Sequence, residues 1–282
     1  YIFFKLFGPY VITLVKAQVF INIVSMICFR AILRMFRLSE VVVFFSLLVF
    51  YSSFVLINFW PWYNHTVFVF EMVAILFTLR YILDHKSIIN LILGSLFVVL
   101  AILTKQDGGG LGLLLISGLL LVDFYYSGKL TPLAVYFLSL VLWGLILVLP
   151  FIKYDFLYWF NYGQYPHYSR ISLYNFFMDI FTGSEWIKAY LLALTLSIII
   201  RYKSWTEFIQ EKSFFIFTLF TLGILLQATI IQVTSFSPPT VNLYFHGFAI
   251  AFILQNLKEK INFHHTGIFV AVTILFLFWK SD

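Results

Sequence analysis

The chain has 282 residues, of which 62% are apolar, 21% aromatic and only 11% formally charged, with a mean hydropathy of +0.98. Water-soluble domains carry about 25% charged residues, so this composition excludes one and specifies an integral membrane protein. The net charge of +6 comes from basic residues scattered at the ends of apolar runs, which reads as membrane topology and not as a nucleic-acid surface, while a single cysteine, Cys28, excludes an internal disulfide and a cysteine-built metal site.

A spanning helix needs roughly 20 predominantly apolar residues, and lipid leaves backbone polar groups to be satisfied within the segment. Taken in chain order, the apolar runs predict ten transmembrane helices, at 9–33, 40–58, 64–83, 87–104, 110–126, 131–150, 186–201, 213–233, 241–256 and 266–280. The fold class is therefore all-α: a polytopic helical membrane protein, one transmembrane domain over 1–282, with an outer loop at 151–185 that carries an amphipathic helix. Runs such as "SIII" at 197–200 do not alternate polar with apolar residues, which argues against a barrel.

Basic residues set the orientation. Arg30, Arg34, Arg37, Arg80, Lys86, Lys129, Arg201, Lys203, Lys212, Lys258 and Lys260 fall on one side, in short connections; Lys5, Lys105, Lys153, Arg170, Lys188 and Lys280 fall on the other, with Lys16 inside a helix. The richer side is cytoplasmic. Residue 1 then faces outward, and because the chain opens on tyrosine, a further span and a first outer loop are expected upstream.

The two sides also differ in chemistry. Cytoplasmic connections such as "RMFRLSE" are short and basic, whereas the outer ones, "NFWPWYNHT", "TKQDGGG", "TSFSPPTVNLYFHG" and the long 151–185 loop, hold the aromatic, amide and histidine residues. In that loop Leu173, Phe176, Phe177 and Ile180 recur at helical spacing and predict a helix lying in the interface plane. Tyr158, Trp159, Tyr162, Tyr165 and Tyr168 have the composition of an interfacial aromatic belt, which serves either as an anchor or as a surface for stacking on a sugar ring while Arg170 or Lys153 holds a phosphate.

Polar residues near the outer face are the candidate functional groups. Lys105 and Asp107 end the fourth helix, and Gly108, Gly109 and Gly110 are expected to turn the backbone sharply before a helix that starts near 110 and aims its free N–H groups at the same volume. An anionic headgroup suits that place; the alternative is that Lys105 snorkels to lipid phosphates and pairs with Asp107. Glu71, about two turns into the third helix, would cost about 2.5 kcal/mol or more if left charged and alone, so it must face a cavity or a partner, or be protonated. His65 and His246, at the outer starts of their helices, suit phosphate donation, acid–base work or metal ligation, but no second ligand stands at motif spacing, so neither a metal nor any cofactor is required. Asn64 reads as a helix cap in preference to a binding group. P-loop, dinucleotide, HExxH and nucleophile-elbow patterns do not occur, and no inverted repeat is visible.

Three stretches, "FGPYVITLVKAQVFINIVSMICFRAILRMF", "WYNHTVFVFEMVAILFTLRYI" and "LFVVLAILTKQDGGGLGLLLISGLLL", resemble the multi-spanning GT-C glycosyltransferases of the bacterial protein mannosyltransferase and aminoarabinose transferase type. In that group a Gly-Pro opens an early helix, and a helix ending in Thr-Lys at the outer face precedes a glycine-rich helix start. The resemblance covers roughly residues 8–127. It implies an inverting transfer of a hexosyl or pentosyl group from a polyprenyl-phosphate carrier to a lipid, glycan or protein acceptor, on the non-cytoplasmic side of a bacterial inner membrane, as part of cell-envelope chemistry. Lys105 would hold the carrier phosphate and Arg170 would be a second contact. Two departures accompany it. The family's catalytic aspartate stands in the first outer loop, which here would precede residue 1, leaving Glu71 as a carboxylate one to two turns too deep. Where a second acidic residue is often found, this chain has Asn64 and His65. A flippase or transporter of lipid-linked glycans, and an O-antigen polymerase or ligase, are the alternative functions that the same outer surface would serve.

Overall fold

A computed structural model describes residues 2–55, 63–84, 86–156, 158, 172–178, 185–235 and 243–258. Among these the regular structure is helical throughout, with no strand. In chain order the helices are α1 (Ile2–Phe7), α2 (Val11–Met35), α3 (Glu40–Val55), α4 (Tyr63–Leu79, prolonged by a π-helical turn Arg80–Asp84), α5 (Ile88–Thr104), α6 (Gln106–Ser127), α7 (Thr131–Val148, prolonged by a 3-10 turn Leu149–Tyr154), α8 (Leu173–Met178), α9 (Glu185–Arg201), α10 (Trp205–Gln210), α11 (Lys212–Ser235) and α12 (Leu243–Lys258). Among the described residues five segments are long and apolar enough to cross a membrane, Val11–Met35, His65–Asp84, Gln106–Ser127, Thr131–Tyr154 and Lys212–Gln232; Glu40–Tyr51 and Ile88–Thr104 are shorter apolar helices. The segment expected at 266–280 lies outside the described residues, as does Ile180 of the interfacial stripe, whose helix is described as α8 with Leu173, Tyr174 and Phe177 exposed.

The chain forms two compact units, one of Tyr1–Trp62 with Phe176–Asp282, the other of Tyr63–Asn175. In the second unit α4, α5 and α6 pack together and α7 lies against α5. Small residues let the backbones approach, as in other membrane helix pairs: a Cβ on Gly94 of α5 would sit 3.1 Å from the Thr78 hydroxyl of α4. The Trp143 indole N–H of α7 donates to the Ile92 carbonyl of α5 at 3.1 Å, an interhelical bond in a setting with little water to compete. Pro132 starts α7 where its missing N–H costs nothing, and Gly128, at φ +66°, closes α6 in the left-handed conformation a glycine adopts freely.

The core of the first unit is phenylalanine-rich. Phe29 of α2 stacks on Phe50 of α3 at 4.4 Å and meets Phe248 of α12 at 4.6 Å, and Phe220 of α11 joins Phe248 edge-on at 4.8 Å. Gly247 makes room for this cluster, since a Cβ there would stand 2.9 Å from the Phe29 ring. At the ends of α9 and α12 that carry Arg201 and Lys258, Arg201 donates to Asn256 at 3.3 Å and to Glu211 at 3.1 Å, and its guanidinium covers the Phe214 ring at 4.5 Å. Ser204 caps α10 by accepting from the Glu207 N–H at 3.2 Å, and Glu207 in return accepts from the Lys203 N–H at 3.1 Å.

Candidate functional site

The chain reverses between α5 and α6 at a single residue. Lys105 is extended, at φ −156° and ψ 118°, with α5 ending at Thr104 and α6 beginning at Gln106. Its N–H still donates to Ala101 of α5 at 2.9 Å, while its carbonyl accepts from Gly109 of α6 at 2.9 Å, so one residue caps both helices. Its ammonium lies 3.2 Å from the Asp107 carboxylate, with the Lys105 side chain only 15% exposed and that of Asp107 39% exposed. The other Asp107 oxygen accepts from the Gly108 N–H at 2.7 Å. A cation here adds to the positive end of the α6 dipole, and the Asp107 carboxylate lies beside both.

The glycines after it do not turn the chain, contrary to the expectation from sequence. Gly108, Gly109 and Gly110 are inside α6, which starts four residues earlier than the expected 110, and none has positive φ. Their missing side chains admit neighbours instead. A Cβ on Gly109 would fall 2.3 Å from the Ile102 nitrogen of α5, one on Gly108 would fall 3.1 Å from Val67 of α4, and one on Gly112 would fall 2.9 Å from Cγ and 3.0 Å from Cδ of Glu71. Val67 and Glu71, one turn apart on α4, thus face Gly108 and Gly112, one turn apart on α6. Glu71 is 1% exposed, about 9 Å down α6 from its first residue at 1.5 Å per residue.

Asn64 is inside α4, which is described from Tyr63. A capping residue needs extended backbone, so the cap assignment is replaced by a place in the first turn. His65 follows it and is fully buried. Arg170, Trp159, Tyr162, Tyr165 and Tyr168 lie outside the described residues.

His246 belongs to the other unit and has company that sequence reasoning missed. In the first turn of α12 it is 1% exposed, with the Trp186 ring of α9 at 4.4 Å and the Tyr190 ring, one turn further along α9, edge-on at 5.2 Å. Both His246 ring nitrogens, the Trp186 Nε1 and the Tyr190 hydroxyl are buried without a hydrogen-bond partner among the described residues. Each such atom costs about 1–3 kcal/mol when nothing bonds it. The signal in the sequence was a Trp and a Tyr four residues apart at the start of a helix, both able to donate.

Comparison with protein-family models, curated proteins and solved structures finds no match. The candidate residues are therefore placed by geometry alone. Lys105 and Asp107 are brought together at the head of α6; Asn64, His65 and Glu71 share α4; His246 is in the separate unit. Among the described residues no three His, Cys, Asp or Glu side chains gather as metal ligands would.

Proposed function

We propose that the chain is a membrane glycosyltransferase of the GT-C type, with ten transmembrane helices, that moves a sugar from a polyprenyl-phosphate carrier to a lipid, glycan or protein acceptor on the non-cytoplasmic side of a bacterial inner membrane. What supports this reading is the Lys105 ammonium, shielded beside Asp107 at the N-terminus of α6. A carrier phosphate approaching from the bilayer meets the ammonium and the positive end of the α6 dipole together. As the bond from sugar to phosphate oxygen breaks, negative charge grows on the departing phosphate, and donors already in place stabilise it without reorganising. Asp107 holds the ammonium in position between turnovers.

The acceptor hydroxyl must give its proton to a carboxylate. Glu71 is sealed against Gly112, so this reading assigns the base to another acidic residue and leaves Glu71 to the packing of α4 on α6. The test is Lys105→Ala in the full-length protein, assayed for transfer of radiolabelled sugar from polyprenyl phosphate. Loss of one preorganised donor predicts a fall of about 100-fold or more, with membrane insertion unchanged. Transfer at the wild-type rate would remove Lys105 from the site and the reading with it.

A further inference from the structure

The heads of α9 and α12 bring Trp186, Tyr190 and His246 together. Trp186 and Tyr190 lie one turn apart on α9 and both face His246 of α12, while at the far ends of the same helices Arg201 bonds Asn256. The two helices therefore run parallel, and the Trp186–Tyr190–His246 group is at the end opposite the Arg201–Asn256 pair. His246 is 1% exposed and Tyr190 6%, whereas Trp186 is only half-buried, so the group is closed around His246 and Tyr190 and reaches the surface at Trp186.

Burial normally goes with satisfied polar atoms, and here four fail together: both nitrogens of His246, the Tyr190 hydroxyl and the Trp186 Nε1, none with a partner among the described residues. Their chemistry specifies the occupant. The indole N–H only donates, the phenol both donates and accepts, and a neutral imidazole donates from one nitrogen and accepts at the other. No charged side chain belongs to the trio, which favours a neutral occupant. The half-buried Trp186 ring suits the apolar face of a ring whose edge carries hydroxyls.

We infer that Trp186, Tyr190 and His246 form a binding site for a neutral polyhydroxylated ring, a sugar, whose adjacent hydroxyls pair with these four atoms. Binding alone tests this site, independently of the transferase reading. Two sources share the chemistry: a free glycoside and the sugar head of a neutral glycolipid.

The experiment uses the full-length protein in phosphatidylcholine nanodiscs, titrated by calorimetry with the methyl glycosides of glucose, galactose, mannose and N-acetylglucosamine, and in a second arm with nanodiscs containing monohexosyl diacylglycerol. Saturable binding in the first arm identifies a free-sugar site and, in the second arm only, a glycolipid site. In either case Tyr190→Phe, which removes one oxygen and keeps the ring, weakens binding about tenfold, the value of one neutral hydrogen bond. His246→Phe weakens it at least as much, and inorganic phosphate does not compete. Absence of saturable binding in both arms, or binding that both variants leave unchanged, overturns the inference and leaves buried water as the occupant. Tyr190→Phe is mild enough to fold, and circular dichroism of each variant verifies that it has.

Discussion

The packing of α5 and α6 makes a sharp prediction about three consecutive glycines and a fourth two residues on. Every Gly→Ala change in a helix interior gains about 0.5–1 kcal/mol from reduced backbone freedom in the unfolded chain. What opposes that gain differs by position. At Gly110 nothing lies within 4 Å of the added carbon, so Gly110→Ala is stabilising by the full 0.5–1 kcal/mol or so. At Gly112 the carbon meets Glu71 at 2.9–3.2 Å; a side chain can yield by a few tenths of an ångström, and an overpacking cost of about 1–3 kcal/mol leaves a net loss of roughly 0–2 kcal/mol. At Gly109 the obstacle is the α5 backbone itself, at 2.3 Å from the Ile102 nitrogen and 2.5 Å from the Ala101 carbonyl carbon. Restoring ordinary contact means moving α6 from α5 by about 1 Å, which places Gly109→Ala at the upper end of overpacking costs, a net loss of about 2 kcal/mol or more. Denaturant unfolding of the three variants in the same detergent gives the order. If Gly109→Ala unfolds with the wild type, or Gly110→Ala loses as much as Gly109→Ala, the glycines are not packing residues and the described approach of α5 and α6 is wrong.

Two further outcomes follow from local geometry outside the spans. Arg37 is exposed at φ +56°, where α2 ends in a pair of bonds from the Arg37 N–H to Arg34 and from the Leu38 N–H to Leu33, the arrangement in which glycine is usual. Arg37→Gly therefore raises stability by about 0.5–1 kcal/mol in thermal unfolding, since relief of left-handed strain exceeds the added unfolded-state entropy; a drop in melting temperature would contradict the strain. Burial, and then the hydrogen bond its hydroxyl donates to Glu211, hold the Tyr202 phenol protonated well above its ordinary value of 10.0, against the opposing effect of Arg201. A raised folded value contributes stability that is complete below the unfolded value near 10 and is lost as pH rises beyond it. The stability difference between wild type and Tyr202→Phe is thus constant from neutral pH to about 9 and shrinks near pH 11; a difference that persists unchanged at pH 11 would refute the coupling.

Much of the fold was legible because bilayer thickness fixes how long an apolar run must be, and each expected segment among the described residues is a helix within a few residues of its expected bounds. The reading failed where one residue type has two physical uses. Glycine permits turns and also permits contact, and at 108–110 the second use applies, because Lys105 alone makes the reversal. Asn64 differs for a related reason: a residue suited to capping also fits the first helical turn, where α4 holds it. The Lys105–Asp107 pair was legible from its two-residue spacing, whereas Trp186, Tyr190 and His246 were not, since 56 residues separate the last two in the chain and only packing unites them.

Polyprenyl phosphate without its sugar tests the central claim most directly, since it asks only whether the head of α6 holds a carrier phosphate. In nanodiscs, the full-length protein is expected to bind it saturably, Lys105→Met to bind at least about tenfold more weakly, and Asp107→Asn to bind more tightly because the competing carboxylate is gone. Equal affinity of wild type and Lys105→Met would contradict the account.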